Sequence, residues 1–273
     1  MVVANQKGGV GKTTSAVNLA AALAQHGLRV LVIDLDPQGN ASTALGVDHT
    51  EGTPGTYDAL VDAKRLTELI QPCPEVGGLV VVPATIDLAG AEIELVSLVA
   101  RESRLRRSIN EYLDEVQDTP DQVDYILIDC PPSLGLLTVN ALVAGRELLI
   151  PIQCEYYALE GLGSLLRNVE LIQSHLNPDL DISTIMLTMH DARTRLSAGV
   201  AEEVRNHFGD KVLHTAVPRS VRISEAPSYQ QTVMTYDPTS PGALSYLEAA
   251  RELASRQNDA RATTPTTPNE EGM

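Results

Sequence analysis

The segment Lys7-Gly8-Gly9-Val10-Gly11-Lys12-Thr13-Thr14 restricts the possible folds of this chain more than any other stretch. A short apolar run, Val2-Val3-Ala4, leads into it. A helical pattern leaves it, with Val17, Leu19, Ala20, Leu23 and Ala24 turned inward and Gly27 at the end. Glycines between a buried strand and a helix let peptide N–H groups close around a phosphate without Cβ clashes. In the usual form of such a loop a glycine stands five residues before the Gly-Lys-[Ser/Thr] end. Gln6 occupies that place here, and Gly8, Gly9 and Gly11 carry the flexibility instead. Lys12 is then placed to pair with the β and γ phosphates of a nucleotide, and the Thr13 hydroxyl to reach Mg²⁺.

Lys7 is the unusual residue of the loop. An ammonium group just before the glycines adds positive charge where a γ-phosphate departs, either in its own site or, if two sites face each other, in the neighbour's.

Beyond the loop, strands and helices alternate. Apolar runs suited to buried parallel strands fall at Arg29 to Ile33, Leu79 to Val82, Tyr125 to Ile128, Leu148 to Ile152, Thr184 to Leu187 and Val212 to Val217. Helical patterns lie around Asp87 to Val99, Leu105 to Val116, Leu136 to Val143, Leu159 to His175, Ser197 to Phe208 and Ala243 to Arg256. Together with the loop, the repetition predicts one α/β domain, a P-loop NTPase with a mostly parallel twisted sheet flanked by helices on both faces. Ligands bind such sheets outside the carboxyl ends of the strands.

Two strand ends there carry acids. Asp34-Leu35-Asp36-Pro37-Gln38-Gly39-Asn40 follows the second strand, with Asn40 a candidate cap for a short helix. Tyr125-Ile126-Leu127-Ile128 ends in Asp129, followed by Cys130-Pro131-Pro132, the form of a strand whose terminal carboxylate holds Mg²⁺ indirectly.

The loop at Lys7 to Thr14, the Asp36 turn and Asp129 arrive in the order found in the deviant Walker A family of the ParA/MinD type. The chain resembles that family from Ala4 to about Arg256, and within it the ParA/Soj-like partitioning proteins. The resemblance implies an ATPase using ATP and Mg²⁺, forming a homodimer in the ATP state with the signature lysine reaching across. It implies Lys7, Lys12 and Asp36 as catalytic residues. It implies Lys7, Gly8, Gly9, Val10, Gly11, Lys12, Thr13 and Thr14 around the phosphates, and Thr13, Asp34 and Asp129 around the metal. Pro218 and Arg219, after a predicted strand, are candidates for the edge of the base, and Ser133-Leu134-Gly135 for a segment that responds to the γ-phosphate. Arg193 and Arg222 match positions that contact nonspecific double-stranded DNA. The implied partner is a ParB-like centromere-binding protein whose basic segment stimulates hydrolysis, and the implied location is cytoplasmic and nucleoid-associated.

Charge opposes the DNA reading at first sight. Against 20 Lys and Arg stand 36 Asp and Glu, a net charge of -16, whereas nucleic-acid binders usually present a basic surface. Phosphate contact needs only a local patch, because screening over about 8 Å hides distant acids at physiological salt. Arg193 beside Asp191, and Arg222 beside Glu225, are equally placed to form surface ion pairs. A second basic cluster, Arg101, Arg104, Arg106 and Arg107, reads as a solvated helix face or a partner contact.

Cys73, Cys130 and Cys154 share no metal-ligand spacing, which weighs against the iron-protein and CxxC-bearing relatives of the same loop. No basic, apolar-faced terminal helix suggests a membrane anchor. The first strand offers only Met1, Val2 and Val3 before Ala4, so either the chain starts upstream or an edge of the sheet is less stable. The ATPase domain is expected to span 1–256, and the polar, proline-bearing 257–273 to be a disordered tail. Two other readings remain open: a P-loop metabolite phosphotransferase or ligase, and a positioning ATPase for a protein cargo.

Overall fold

The computed structural model describes residues 1–156 and 162–263. Eight strands form one sheet: β1 (Val2–Val3), β2 (Val30–Asp34), β3 (Gln71–Pro72), β4 (Leu79–Val82), β5 (Tyr125–Asp129), β6 (Glu147–Gln153), β7 (Asp181–His190) and β8 (Val212–Pro218). Their spatial order is β3-β4-β2-β5-β1-β6-β7-β8. Among the described residues only the pairing of β3 with β4 is antiparallel. Eleven α-helices are present among the described residues: α1 (Lys12–Gln25), α2 (Asn40–Ala44), α3 (Thr56–Leu60), α4 (Leu88–Leu95), α5 (Arg104–Val116), α6 (Leu136–Ala144), α7 (Leu162–His175), α8 (Arg195–Phe208), α9 (Val221–Glu225), α10 (Val233–Tyr236) and α11 (Pro241–Thr263).

Alternation along the strands builds two cores. Leu31 and Ile33 face one core, shared with Leu105 and Ile109 of α5, Leu142 of α6 and Val169 of α7. Val30 and Val32 face the other, with Leu19 and Leu23 of α1 and Tyr246 and Leu253 of α11. Both faces of the sheet are therefore covered, which is why its strands read as nearly continuous apolar runs. Helix α1 lies between the sheet and α11, and its residues from Ser15 to Ala24 are all buried. Five alanines in that stretch permit close approach on every side.

Several expectations are revised. The short β1 is not an edge: it pairs with β5 through Val2↔Ile128 and with β6 through Val2↔Leu148, at the middle of the sheet. Gly39, not Asn40, precedes α2 as its cap, in the left-handed region at φ 62°. Its approach is also close, because a Cβ there would lie 2.8 Å from the Ala84 carbonyl oxygen. Helix α4 stops at Leu95, short of Val99. The last helix runs on past Arg256 to Thr263, so the irregular tail does not begin at 257. Gln, Ala and Arg in 257–263 support a helix, and the first proline is Pro265. Residues 264–273 and the expected start of α7 at Leu159 lie outside the described residues. No helix among the described residues is long and apolar enough to cross a membrane.

Candidate functional site

Because β1, β2, β5, β7 and β8 are parallel, the segments that follow them gather at one end of the sheet. The loop after β1 is held from three sides. Asn5 donates through Nδ2 to the Pro151 carbonyl at 2.8 Å and accepts the Lys7 N–H at 3.0 Å. The Thr188 hydroxyl at the end of β7 donates to the Val10 carbonyl at 2.8 Å. Gly11 takes φ 87°, a conformation that favours glycine, and opens α1 directly at Lys12. The N–H groups of the first turn of α1 therefore point out of the helix toward the loop.

Lys12 folds back over the loop, with Nζ 3.3 Å from the Lys7 carbonyl oxygen. Burial pushes its ammonium below the usual lysine range, while the nearby Asp129, Cys130 and Asp36 pull it back up. The cation is held among apolar walls with carboxylates near it, a setting in which a phosphate is a strong ligand.

Asp34 and Asp129 lie opposite each other on β2 and β5. Both are fully buried, but their surroundings differ. The Asp34 carboxylate accepts the Ser42 hydroxyl at 2.7 Å, the Ser42 N–H at 2.9 Å and the Asp36 N–H at 3.1 Å. It organises the turn that carries Asp36. Among the described residues neither oxygen of Asp129 has a hydrogen-bond partner of ordinary geometry, although the Thr13 hydroxyl lies near enough to act on it. Burial and the Asp34 charge push Asp129 well above the usual carboxylate range, and the Thr13 hydroxyl and Lys12 oppose that shift. A buried acceptor left without a donor is costly, and a hydrated divalent cation beside Thr13 would satisfy it. Among the described residues no cluster of three or more His, Cys, Asp or Glu forms a metal cage. Mg²⁺ keeps waters and is commonly held by one or two protein groups plus phosphate, a role that the Thr13 hydroxyl and the Asp129 carboxylate suit.

Asp36 is 8% exposed at the mouth of the site, and one of its oxygens accepts the Gln38 N–H at 3.0 Å. Its other oxygen has no protein donor among the described residues.

Burial raises the Asp34 carboxyl from 3.8 to about 6, against the hydrogen bonds it accepts. The native state then holds this proton more tightly than the unfolded chain. Asp34 therefore adds less to stability as pH rises from about 4 to about 6. Asp34→Asn, which stays neutral, is expected to gain a few degrees in Tm relative to wild type across that interval. Parallel Tm curves for the two proteins would reject the assignment.

Pro218 and Arg219 at the end of β8 line a cavity of about 90 Å³ together with Gly11, Thr14, Thr188 and Tyr246. The structure thus joins the two sequence segments assigned to the phosphates and the base. Thr188 and Tyr246 were not singled out from sequence. Thr188 could have been found from its place at the end of a parallel strand, whereas Tyr246 reads as an ordinary core residue of α11.

Arg193, on the loop after β7, and Arg222, in the first turn of α9, do not line this cavity. Both form the ion pairs open to them. Arg193 meets Asp191 in a two-pronged contact, Nε–Oδ1 and Nη2–Oδ2 both 2.9 Å. The contact and its charge hold the Asp191 carboxyl down at about 2. Arg222 lies 3.2 Å from Glu225 and 3.4 Å from Asp237. In the second basic cluster, Arg104 caps the Leu60 and Val61 carbonyls and Arg107 pairs with Glu111, consistent with a structural role.

A doubly wound parallel sheet with a lysine-bearing glycine loop after its first strand defines a P-loop nucleotide-binding protein. A family model described as an AAA domain, AAA_31, matches residues 1–182. Over 254 residues the chain is 53% identical to the sporulation initiation inhibitor protein Soj of Bacillus subtilis, covering 93% of this chain and 97% of that one. It is 50% identical over 254 residues to the chromosome partitioning protein ParA of Myxococcus xanthus, covering 93% and 87%. The crystal structure of cobyrinic acid a,c-diamide synthase from Mycobacterium smegmatis, with bound ADP and magnesium, matches with a TM-score of 0.80 at 35% identity over 98% of each chain. The chain belongs to the Soj/ParA family of chromosome-partitioning ATPases.

Proposed function

We propose that this protein is an ATP-driven partitioning switch. It closes into a homodimer on ATP, binds double-stranded DNA without sequence preference, and is released when a ParB-like partner accelerates hydrolysis. The observation that carries the reading is the convergence of Lys12, Asp36 and the unpartnered carboxylate of Asp129 around one glycine loop. The loop from Lys7 to Thr14 would cradle the phosphates, and Pro218 and Arg219 would border the adenine. The Thr13 hydroxyl would hold Mg²⁺ and Asp129 would hold it indirectly, with Asp34 fixing the turn beside them. Bound Mg²⁺ would offset charge on the β and γ phosphates.

The chemistry asked of the chain is ATP + H₂O to ADP + phosphate. As the bond between the γ-phosphorus and the β–γ bridging oxygen breaks, the oxygen of water bonds to phosphorus. Its protons leave to solvent and phosphate, with Asp36 orienting the water. Lys12 and Lys7 offset the charge that builds up on the phosphoryl oxygens. Dimerisation doubles the arginine patches on one rigid body, which makes weak DNA contacts effective at cellular salt. Such a protein works in the cytoplasm on the nucleoid.

The diamide synthase named above belongs to metabolite chemistry, but the relatives of higher identity bear partitioning names. Retention on nonspecific duplex DNA decides between the readings. It is expected with a non-hydrolysable ATP analogue and Mg²⁺, and to be lost with ADP. Absence of retention in both states, by protein shown to bind ATP, would transfer the chain to metabolite chemistry or to a protein cargo.

A further inference from the structure

We infer that Arg195 supplies the unspent positive charge with which this protein grips DNA phosphate, while Asp191 keeps Arg193 in reserve on the same face. The inference rests on the DNA-binding reading above and concerns which residues do the binding.

The face is built by two neighbouring strands. His190 of β7 stands in register with Pro218 of β8, and the Arg219 N–H donates to the His190 carbonyl at 3.1 Å. The loops that leave these strands, one into α8 and the other into α9, therefore emerge side by side. They bring four arginines to one end of the sheet: Arg193, Arg195, Arg219 and Arg222.

Three of the four are already engaged. Arg193 is clasped by Asp191, Arg219 lies 3.2 Å from Glu155, and Arg222 is shared between Glu225 and Asp237. A guanidinium in such a pair gains little from a phosphate unless it leaves its carboxylate, and the carboxylate left behind then repels the DNA backbone. Arg195 differs. It is exposed, begins α8, and its side chain has neither an ion pair nor a hydrogen bond among the described residues. In a chain of net charge -16, counterion release has to come from cations not already neutralised locally. Arg195 is such a cation, adjacent to the arginines that match DNA-contacting positions.

The Arg193–Asp191 pair is the reserve. Arg193 is 89% exposed in its side chain and projects into solvent, whereas Asp191 is 24% exposed and anchored at the root of the loop. Removing the negative charge without removing the loop's hydrogen bond would free Arg193 as a second full cation. Asp191→Asn does this, because its side-chain oxygen can still accept the Arg193 N–H that Asp191 accepts at 3.1 Å.

The test is a salt titration of affinity for nonspecific duplex DNA, with full-length protein held in the ATP state by a non-hydrolysable analogue. Each phosphate neutralised contributes about 0.9 to the slope of log K against log salt. Arg195→Ala is expected to lower the slope by about 1 per protomer in contact, Arg195→Lys to keep it, and Asp191→Asn to raise it by about 1. Thermal melts matching wild type establish that the variants are folded.

A slope unchanged in Arg195→Ala, with wild type binding normally, overturns the inference and leaves the DNA reading intact. Equal losses in Arg195→Ala and Arg195→Lys mark a packing role and overturn it as well. An unchanged slope in Asp191→Asn removes the reserve. Wild type that fails to bind DNA in either nucleotide state defeats the underlying reading, and the inference with it.

Discussion

Asp36→Ala is expected to keep its affinity for ATP and to lose turnover by about two to four orders of magnitude, the range for a positioned group that handles a reacting water. Its placement is the reason. Asp34 and Ser42 tie down the start of the turn, Gly39 closes it, and Asp36 is left at the mouth with one oxygen oriented by the Gln38 N–H. No hydrogen bond among the described residues ties the loop from Lys7 to Thr14 to Asp36, so binding and hydrolysis are expected to separate. Equilibrium binding of a fluorescent ATP analogue, with single-turnover hydrolysis under the same conditions, measures both quantities. Unchanged turnover would remove Asp36 from the chemistry. Loss of both binding and turnover would make it a structural residue of the turn.

Lys7→Ala should cost turnover about a thousandfold or more, the lower range for a cation supplied to the departing phosphoryl group. Lys7 contributes its carbonyl to Lys12, a contact that alanine preserves, while its side chain has no ion-pair partner among the described residues. Mixing two inactive proteins shows in which site the ammonium works. If Lys7 acts across a dimer, a protomer carrying Lys7→Ala and one carrying Asp36→Ala together form one complete site, with Asp36 from the first and Lys7 from the second. The mixture then regains activity that neither protein has alone. If Lys7 serves its own site, every site in the mixture lacks one group, and activity stays at the level of the separate variants.

Much of this site could be read from residue order, because its chemistry is concentrated in short contiguous segments. Lys7 to Thr14, the Asp36 turn and Asp129 each follow an apolar strand, and parallel pairing carries all three to one end of the sheet. In sequence, Asp129 has the form of a carboxylate that holds Mg²⁺ indirectly and Asp34 is placed beside it around the metal, without a sign of what surrounds either one. Both end buried strands, and the distinction lies in Ser42, eight residues beyond Asp34, whose hydroxyl and N–H bond to Asp34 and not to Asp129. The same limit explains the central position of β1, which is set by long-range pairing with β5 and β6. It also explains the extension of α11 to Thr263, where weak local preference follows a helix already anchored by Tyr246, Ala250 and Leu253. Short elements such as β3 and α10 carry too few residues for any periodicity to register.

The opposition of Asp34 and Asp129 across β2 and β5 bears on the protein's lifetime as well as its chemistry. Two buried acids facing each other are costly to the fold, and a ligand that binds beside them adds to its stability. Ligand at a hundred times its dissociation constant deepens the native well by about 2.7 kcal/mol. When cleavage is slower than reclosing, degradation follows the population of opened molecules. Nucleotide bound at this end of the sheet is therefore expected to slow proteolysis of the chain, which digestion with and without nucleotide measures.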